Sequence, residues 1–281
     1  MKLIFLTGAT DGIGFETAKL LAAQGHELLI SGRSESKLAA TKRQLHTNFP
    51  ESKVVSYCAD LSNFSDVQTL VQAISEEHKV IDVIINNAGV LKSKEPLTRD
   101  GLDIRFVVNT YSPLIIAASL LPFLADDGRI INLSSAAQEP VSLDAMTGRL
   151  VLMESFQAYA QSKLAMTMWS RLFANLLKSN QVVVSVNPGS LLASKMVKEG
   201  FGIDGNDLAV GANILARAAL SGEFASASGK YYDNDAQQFS SPHPDALDET
   251  KCLLVMKAMR EIFNDKYSNN PIDWQALGLV E

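Results

Sequence analysis

The sequence predicts an α/β fold: a doubly wound parallel sheet with helices on both faces, in a single domain spanning residues 1–281. Short apolar runs alternate with segments of helical spacing, as is typical of βαβ units. Most of the runs are rich in branched residues and lack clean period-2 alternation, which indicates strands covered on both faces. A hydrophobic content of 47% is enough for one substantial core.

The predicted elements follow one another along the whole chain. Strand-like runs occupy residues 3–6, 28–30, 54–57, 80–85, 129–133 and 182–186. Helical patterns lie between them, and a last helix is expected at 249–263, after a loose polar segment at 234–248. Right-handed crossovers bring the carboxyl ends of parallel strands to one edge of the sheet, and ligands of such sheets bind there.

Composition argues against several classes of protein. A net charge of −6 gives no general attraction to nucleic acid or to an anionic membrane. Two cysteines, Cys58 and Cys252, do not make a disulfide framework, and the scattered histidines form no visible metal site. The first strand begins at once and no apolar run approaches the ~20 residues of a membrane span. We therefore expect a cytoplasmic protein without a metal, a membrane or a nucleic-acid partner.

A glycine-rich loop directly follows the first apolar run. Glycines at 8, 12 and 14 permit a tight turn and a close approach of the backbone to a pyrophosphate. The helix that begins near Gly12 offers free N–H groups and the positive end of its dipole to phosphate. For a glycine match alone, a turn without a ligand is an equal alternative, but the position after the first strand argues against it. The predicted dinucleotide contacts are Gly8, Thr10, Asp11, Gly12, Ile13 and Gly14.

The end of the second strand indicates which dinucleotide binds. Sites for NAD(H) usually place a carboxylate there, about 20 residues after the glycine loop, to bind the ribose diol. This chain has no acid in that stretch, and Arg33 stands where a 2′-phosphate would lie. Ser34 and Lys37 add further donors. The sequence favours NADP(H), with NAD(H) and an Arg33 that merely stacks on adenine as the alternatives.

A tyrosine and a lysine four residues apart form the second motif. Tyr159 and Lys163 would share one face of a helix. A nearby ammonium favours a phenolate, and a group whose pKa is tuned towards neutrality is the better general acid or base. In isolation such a pair is usually an exposed packing pair. Together with a dinucleotide loop, it predicts hydride-transfer chemistry.

These motifs, in this order, resemble the short-chain dehydrogenase/reductase family along nearly the whole chain. Asp60-Leu61 is similar to the family's adenine-contacting pair, and the motif 86–89, which contains Asn87, Ala88 and Gly89, is similar to its NNAG motif. Asn109 stands at the family's helix asparagine and Ser135 at its catalytic serine. Tyr159 and Lys163 match the YxxxK pair. Pro188 and Gly189, with Leu191 nearby, stand where family members contact the nicotinamide.

The resemblance implies a Rossmann-type fold and a role for each catalytic residue. Tyr159 would exchange a proton with the oxygen of a carbonyl or alcohol substrate, and Ser135 would hold that oxygen. Lys163 would bond the nicotinamide ribose. Asn109 would kink its helix and hold a water that links Lys163 to solvent. An enzyme of this class is the first hypothesis, and a nucleotide-binding sensor or scaffold without turnover is the alternative.

Departures from the family pattern concern the substrate region. The separation of Ser135 and Tyr159 is longer than in many members, and the insert 138–155 resembles that of retinol-dehydrogenase-like members. Ser194 stands near the position of the family's threonine. Substrate loops are expected at 136–158, 190–207 and 233–248, and their apolar residues suggest an apolar aldehyde, ketone or alcohol. The residues predicted to form the walls are Met146, Leu150, Met153, Leu191, Met196, Val197 and Phe201.

The helix that carries the tyrosine bears more apolar residues than a single stripe. A second apolar face predicts a homodimer or homotetramer, as in many family members. Its alternative is a helix buried within a monomer, with the long insert covering its outer face.

Overall fold

One mixed sheet of eight strands organises the protein. The computed structural model describes residues 1–193, 196, 198, 202, 204–267 and 270–279. The strand order is β3-β2-β1-β4-β5-β6-β7-β8, and every pair is parallel except the β7–β8 pair at the edge. The strands are β1 (Leu3–Thr7), β2 (Glu27–Gly32), β3 (Val54–Cys58), β4 (Ile81–Asn86), β5 (Leu124–Leu133), β6 (Val182–Asn187), β7 (Tyr231–Asp233) and β8 (Gln238–Ser240).

Helices cover both faces of this sheet. They are α1 (Gly12–Ala23), α2 (Glu35–Asn48), α3 (Phe64–Glu77), α4 (Ile104–Phe106), α5 (Ser112–Leu120), α6 (Leu143–Met146), α7 (Ser155–Phe173), α8 (Leu208–Leu220) and α9 (Glu249–Lys266). Apolar side chains of α1, α2 and α8 form a core on one face, and those of α3, α5, α7 and α9 form a core on the other. Neighbouring strand residues enter opposite cores, as Ile84 and Ile85 do. The predicted doubly wound α/β fold is confirmed.

A wide turn interrupts the helix that carries Asn109. Between α4 and α5 the chain forms a π-helical turn, Val107–Tyr111. Within the described residues, the continuous stretch Ile104–Phe123 is long and apolar enough to cross a membrane by length and composition. In the structure, 72% of an apolar 18-residue part of this stretch is buried inside the protein, as expected for a core helix.

The helix α7 is covered on two sides by its own chain. Trp169 and Phe173 are fully buried, and α9 packs along α7 together with the 3₁₀ turn Pro244–Leu247. The two apolar faces recognised in the sequence are therefore both satisfied without a second copy. Burial of this helix gives no independent reason to expect a partner.

The C-terminal part departs most from the sequence prediction. The segment 234–248, expected to be an irregular loop, contains the edge strand β8 and the 3₁₀ turn just named. Neither short strand of the β7–β8 hairpin was predicted. The C-terminal tail packs back onto the body: Leu277 is buried, and the Trp274 ring centroid lies 5.8 Å from that of Phe263.

Candidate active site

A cleft of about 880 Å³ runs along the carboxyl edge of the sheet. Its walls come from the loops that follow β1 to β6 and from the first turns of α7. All the predicted site residues except Asn109 line it: Gly8, Thr10, Asp11, Gly12, Ile13, Gly14, Arg33, Ser34, Asp60, Leu61, Asn87, Ala88, Gly89, Ser135, Tyr159, Lys163, Pro188, Gly189 and Leu191. Parallel strands thus bring distant motifs into one space, as their common direction requires.

The glycine loop has the conformation its composition predicts. Gly8 and Gly12 adopt φ values of 67° and 55°, a left-handed region that favours glycine. A Cβ on Gly14 would overlap the carbonyl oxygen of Gly8, so this position has no room for a side chain. Asp11 caps α1 by accepting a hydrogen bond from the N–H of Gly12 at 2.8 Å. The N–H groups of Ile13 and Gly14 precede the first intrahelical hydrogen bond and can serve a phosphate.

Asn87 supports this loop from the neighbouring strand. Its Nδ2 donates to the carbonyl oxygens of Thr7 and Gly8, at 2.8 and 3.2 Å. The backbone N–H groups of Asn87 and Ala88 donate to the Thr7 hydroxyl at 3.0 and 3.1 Å. Asn87 therefore holds the loop in shape in addition to lining the cleft.

The end of β2 presents a free cation. Arg33 is exposed and, within the part of the chain that the structure describes, makes no hydrogen bond or ion pair. Ser34 caps α2 and accepts from the N–H of Lys37 at 3.4 Å, and Lys37 also lines the cleft. Gly32, which sequence reasoning missed, allows the Thr10 methyl group to approach, because a Cβ there would lie 3.0 Å from it.

The carboxylate predicted to contact adenine is hydrogen-bonded within its own loop. Asp60 Oδ1 accepts from the N–H and the hydroxyl of Ser62, at 2.9 and 2.7 Å. The carbonyl oxygen of Leu61 accepts from the Ser112 hydroxyl at 2.6 Å, which ties this loop to the first residue of α5.

Ser135, Tyr159 and Lys163 converge at the other end of the cleft. Lys163 is 2% exposed, and its Nζ donates to the carbonyl oxygen of Leu133 at 2.6 Å. This Nζ lies 5.6 Å from the centroid of the Tyr159 ring. The Ser135 hydroxyl lies close enough to the Tyr159 phenol to lower its pKa slightly, against the larger effect of burial. The spacing of four residues on α7 therefore does place the pair on one face.

Burial shifts the pKa values of Lys163 and Tyr159 in opposite directions. It lowers the pKa of Lys163 from 10.5 to about 7, and it raises the pKa of Tyr159, against the smaller opposite effect of the Ser135 hydroxyl. The expectation that the lysine ammonium would lower the tyrosine pKa is not met. Desolvation disfavours both charged forms here, and the sequence does not reveal its extent.

Asn109 lies behind the cleft and joins two of its walls. Within the π-helical turn its Nδ2 donates to the carbonyl oxygen of Val90 at 3.0 Å and to the Ser162 hydroxyl at 2.9 Å. Its Oδ1 accepts from the N–H of Val90 at 2.8 Å. The Ser162 hydroxyl in turn donates to the carbonyl oxygen of Tyr159 at 2.7 Å. Asn109 thus connects the loop after β4 to the turn of α7 that carries Tyr159.

A carboxylate pair fixes the loop after β6, a feature that sequence reasoning missed. Asp235 accepts from the N–H and the hydroxyl of Ser190, at 2.8 and 2.6 Å. The side-chain amide of Asn187 donates to Asp233 at 2.8 Å and to Asp235 at 2.9 Å. Asn234 Nδ2 donates to the carbonyl oxygen of Pro188 at 2.9 Å. The turn between β7 and β8 therefore holds Pro188 and Gly189 in place.

The apolar end of the cleft has fewer predicted residues than expected. Leu191 and Met196 line it, but Met146 is fully buried in the core, and Leu150 and Met153 are exposed outside it. Ser194, Val197 and Phe201 lie outside the described residues. The segment 233–248 does not line the cleft, and its first part pairs in the β7–β8 hairpin at the edge of the sheet. Apolar residues that line this end and were not predicted are Val90, Leu91, Ile104, Val108, Ala136, Ala137 and Phe156.

Comparison with known proteins gives the family. Residues 2–201 match the family model for short chain dehydrogenases. The chain belongs to the short-chain dehydrogenase/reductase family. It is 29% identical over 269 residues to retinol dehydrogenase 13 of Homo sapiens, an alignment that covers 88% of this chain and 80% of that protein. The family predicted from the motifs, including its retinol-dehydrogenase-like character, is confirmed, and the protein is an NAD(P)-dependent oxidoreductase.

Solved structures share the fold. A short-chain dehydrogenase from Escherichia coli CFT073 complexed with NADPH is similar with a TM-score of 0.67 at 24% identity, over 83% of this chain and 96% of that chain. The landomycin C-6 ketoreductase LanV, with bound NADP and rabelomycin, is similar with a TM-score of 0.66 at 26% identity, over 83% of this chain and 94% of that chain.

Proposed function

We propose that this family member is an NADP(H)-dependent oxidoreductase that interconverts an apolar carbonyl compound and its primary or secondary alcohol. One observation carries the proposal: Ser135, Tyr159 and Lys163 converge in the same cleft as the glycine loop and Arg33. A dinucleotide extended along this cleft from Arg33 would bring its nicotinamide end towards Tyr159. When bound, that cofactor supplies or accepts the hydride.

The protonation of the site supports a role in carbonyl reduction. Because burial raises the pKa of Tyr159, its phenol stays protonated near neutral pH and can give a proton to a carbonyl oxygen. The Ser135 hydroxyl can donate to the same oxygen. Lys163, whose pKa burial lowers to about 7, can give up or take up a proton near neutrality. Alcohol oxidation would use the same groups in reverse.

The cofactor preference rests on Arg33. Its exposed guanidinium can form two parallel hydrogen bonds with a 2′-phosphate. The stretch 30–34 contains no acid to bind the ribose diol of NAD(H) or to repel a phosphate. The NADP(H) named in the two structural comparisons supports the same preference. NAD(H) is the weaker alternative.

The apolar lining supports an apolar substrate. Phe156, Val108, Leu191 and Met196 line the cleft that also contains Tyr159. The relative named for retinol, an apolar alcohol, is consistent with this class of substrate. The flexible side chain of Met196 suits a pocket that adapts to more than one ligand.

The test is NADPH oxidation across a panel of apolar aldehydes and ketones, with NADH as the comparison cofactor. Tyr159→Phe should abolish turnover while NADPH still binds. Tyr57→Phe is the matched control, because the Tyr57 hydroxyl bonds Glu77 away from the cleft. Substantial activity of Tyr159→Phe would refute the proton-transfer role. Tight NADPH binding without any turnover would favour a sensor or scaffold, an alternative that the comparisons do not support.

Location and assembly stay predictions. We expect a cytoplasmic protein without a membrane or nucleic-acid partner on the grounds of its composition. The family resemblance implies a homodimer or homotetramer, whereas the cover of α7 by α9 favours a monomer. Cell fractionation and light scattering measure the two properties directly.

A further inference from the structure

Two side chains converge on the backbone carbonyl of Ser135. The Tyr231 hydroxyl donates to this oxygen at 3.1 Å, and Gln138 Nε2 donates to it at 2.9 Å. Tyr231 is 6% exposed, lies on β7 and does not line the cleft. A single carbonyl thus uses both of its lone pairs on side chains that never reach the substrate space.

The two donors are themselves held in place. The side chains of Tyr231 and Gln138 meet at this one carbonyl oxygen. Gln138 Oε1 accepts from the N–H of His243 at 3.1 Å. Burial raises the pKa of Tyr231, and the charges of Asp233 and Asp235 act in the same direction, so its hydroxyl stays a donor. The backbone of Ser135 is therefore fixed by contributions from β7 and from the segment after β8.

The carbonyl matters because it belongs to the residue whose hydroxyl lies beside Tyr159 in the cleft. Ser135 Oγ accepts from the N–H of Ala137 at 3.0 Å, so its own proton is available for another acceptor. Displacement of the Ser135 backbone would move this hydroxyl away from Tyr159 and from a substrate oxygen. Small errors of this kind are costly in catalysis, because the reacting groups must meet at hydrogen-bond distance.

We propose that Tyr231 and Gln138 are positioning residues that hold Ser135 in its reactive orientation by fixing its backbone carbonyl. The inference rests on the proposed role of Ser135 in turnover. It assigns a function to the β7–β8 edge of the sheet, which makes no direct contact with the cleft. The aromatic ring of Tyr231 supplies packing, and its hydroxyl supplies the orientation.

The neighbouring tyrosine provides a matched control. Adjacent strand residues point to opposite faces, and the Tyr232 hydroxyl lies 3.4 Å from Nη2 of Arg217 in the other core. Tyr231→Phe should lower kcat about three- to tenfold, the effect of one lost neutral hydrogen bond, with the Kd for NADPH unchanged. Tyr232→Phe should leave both constants within about twofold of wild type.

A double-mutant cycle separates positioning from a general loss of structure. In a Ser135→Ala background the Tyr231 hydroxyl has no reactive group left to orient. Adding Tyr231→Phe should therefore leave the residual kcat unchanged. Equal losses in the two backgrounds, or wild-type kcat in Tyr231→Phe, would overturn the inference while leaving the proposed function intact.

Gln138→Glu gives a second route if Tyr231→Phe folds poorly. It removes the Nε2 donor but keeps an oxygen for the N–H of His243. In the otherwise wild-type protein, Gln138→Glu should lower kcat as Tyr231→Phe does. In the Ser135→Ala background it should leave the residual kcat unchanged. An unchanged kcat in both backgrounds would overturn the role of Gln138. A wild-type protein without turnover on any carbonyl would overturn both the proposed function and this inference.

Discussion

Replacing Lys163 with methionine should increase the free energy of unfolding near neutral pH, although it removes a group that we propose to act in catalysis. The Lys163 amine is 2% exposed, and burial lowers its pKa from 10.5 to about 7. The folded state therefore holds the charged form at a cost that the unfolded chain does not have. Methionine keeps a similar length and apolar stem without the charge.

The free-energy cost of holding charged Lys163 in the folded state follows from the difference between its pKa in the unfolded chain, 10.5, and in the folded protein, about 7. At about 1.4 kcal/mol for each tenfold change in the proton equilibrium, it is at most about 5 kcal/mol below pH 7 and slightly less at pH 7. Methionine leaves the carbonyl oxygen of Leu133 without its 2.6 Å donor, at a cost of about 1–3 kcal/mol. The net gain expected for Lys163→Met at pH 7 is about 1–3 kcal/mol.

The difference in stability between Lys163→Met and wild type should depend on pH in a defined direction. Between about pH 7 and pH 10.5 the unfolded chain binds more protons at Lys163 than the folded protein does, so the stability of wild type rises with pH in this window. Below the window both states are protonated and the full cost is present. The advantage of the variant should therefore be largest near about pH 6 and shrink by roughly 2–3 kcal/mol at about pH 9.

Urea unfolding followed by tryptophan fluorescence at these two pH values measures the effect. Lys257→Met, an exposed position on α9, is the control and should change little at either pH. A Lys163→Met protein that is less stable than wild type near about pH 6 would refute the reasoning. So would a difference that does not change with pH.

Four further outcomes are expected. Arg33→Ala should weaken NADPH binding about 10- to 100-fold and leave NADH binding unchanged in titrations, whereas Arg43→Ala should affect neither; equal losses for both cofactors would contradict a phosphate contact. Gly14→Ala should lower the Tm and abolish NADPH binding because its Cβ overlaps backbone, while Gly222→Ala, with open space around it, should do neither. Asp235→Asn should raise the KM for NADPH several-fold in steady-state assays because the loop after β6 loses charged acceptors; an unchanged KM would separate this loop from cofactor binding. Light scattering should find a monomer, and a stable dimer would show that another surface associates.

Most of the cleft could be predicted because its motifs are local and stand at strand ends. Gly8 follows the first apolar run, Arg33 the second and Ser135 the fifth, and a parallel sheet brings these ends together whatever their separation in sequence. The spacing of Tyr159 and Lys163 likewise fixes their common face. Short-range patterns and one rule of topology were sufficient for the glycine loop, Arg33 and the Tyr159–Lys163 pair, whereas Ser135 was assigned from the family resemblance.

The remainder depends on long-range contacts that leave little trace in local sequence. Tyr231–Asp233 and Gln238–Ser240 are three-residue strands, too short to show a period, and Asp233 and Asp235 look like ordinary polar loop residues. Their role emerges only when the edge of the sheet approaches the loop after β6. The direction of the Tyr159 pKa shift was missed for a related reason, since it depends on how deeply the folded chain buries the phenol.

The packing of α9 on α7 affects how the activity should depend on protein concentration. Because α7 gains its packing from its own chain, we expect its stability not to depend on protein concentration. Specific activity should then stay constant on dilution from storage to assay conditions, since no subunit equilibrium supplies the second face of the helix.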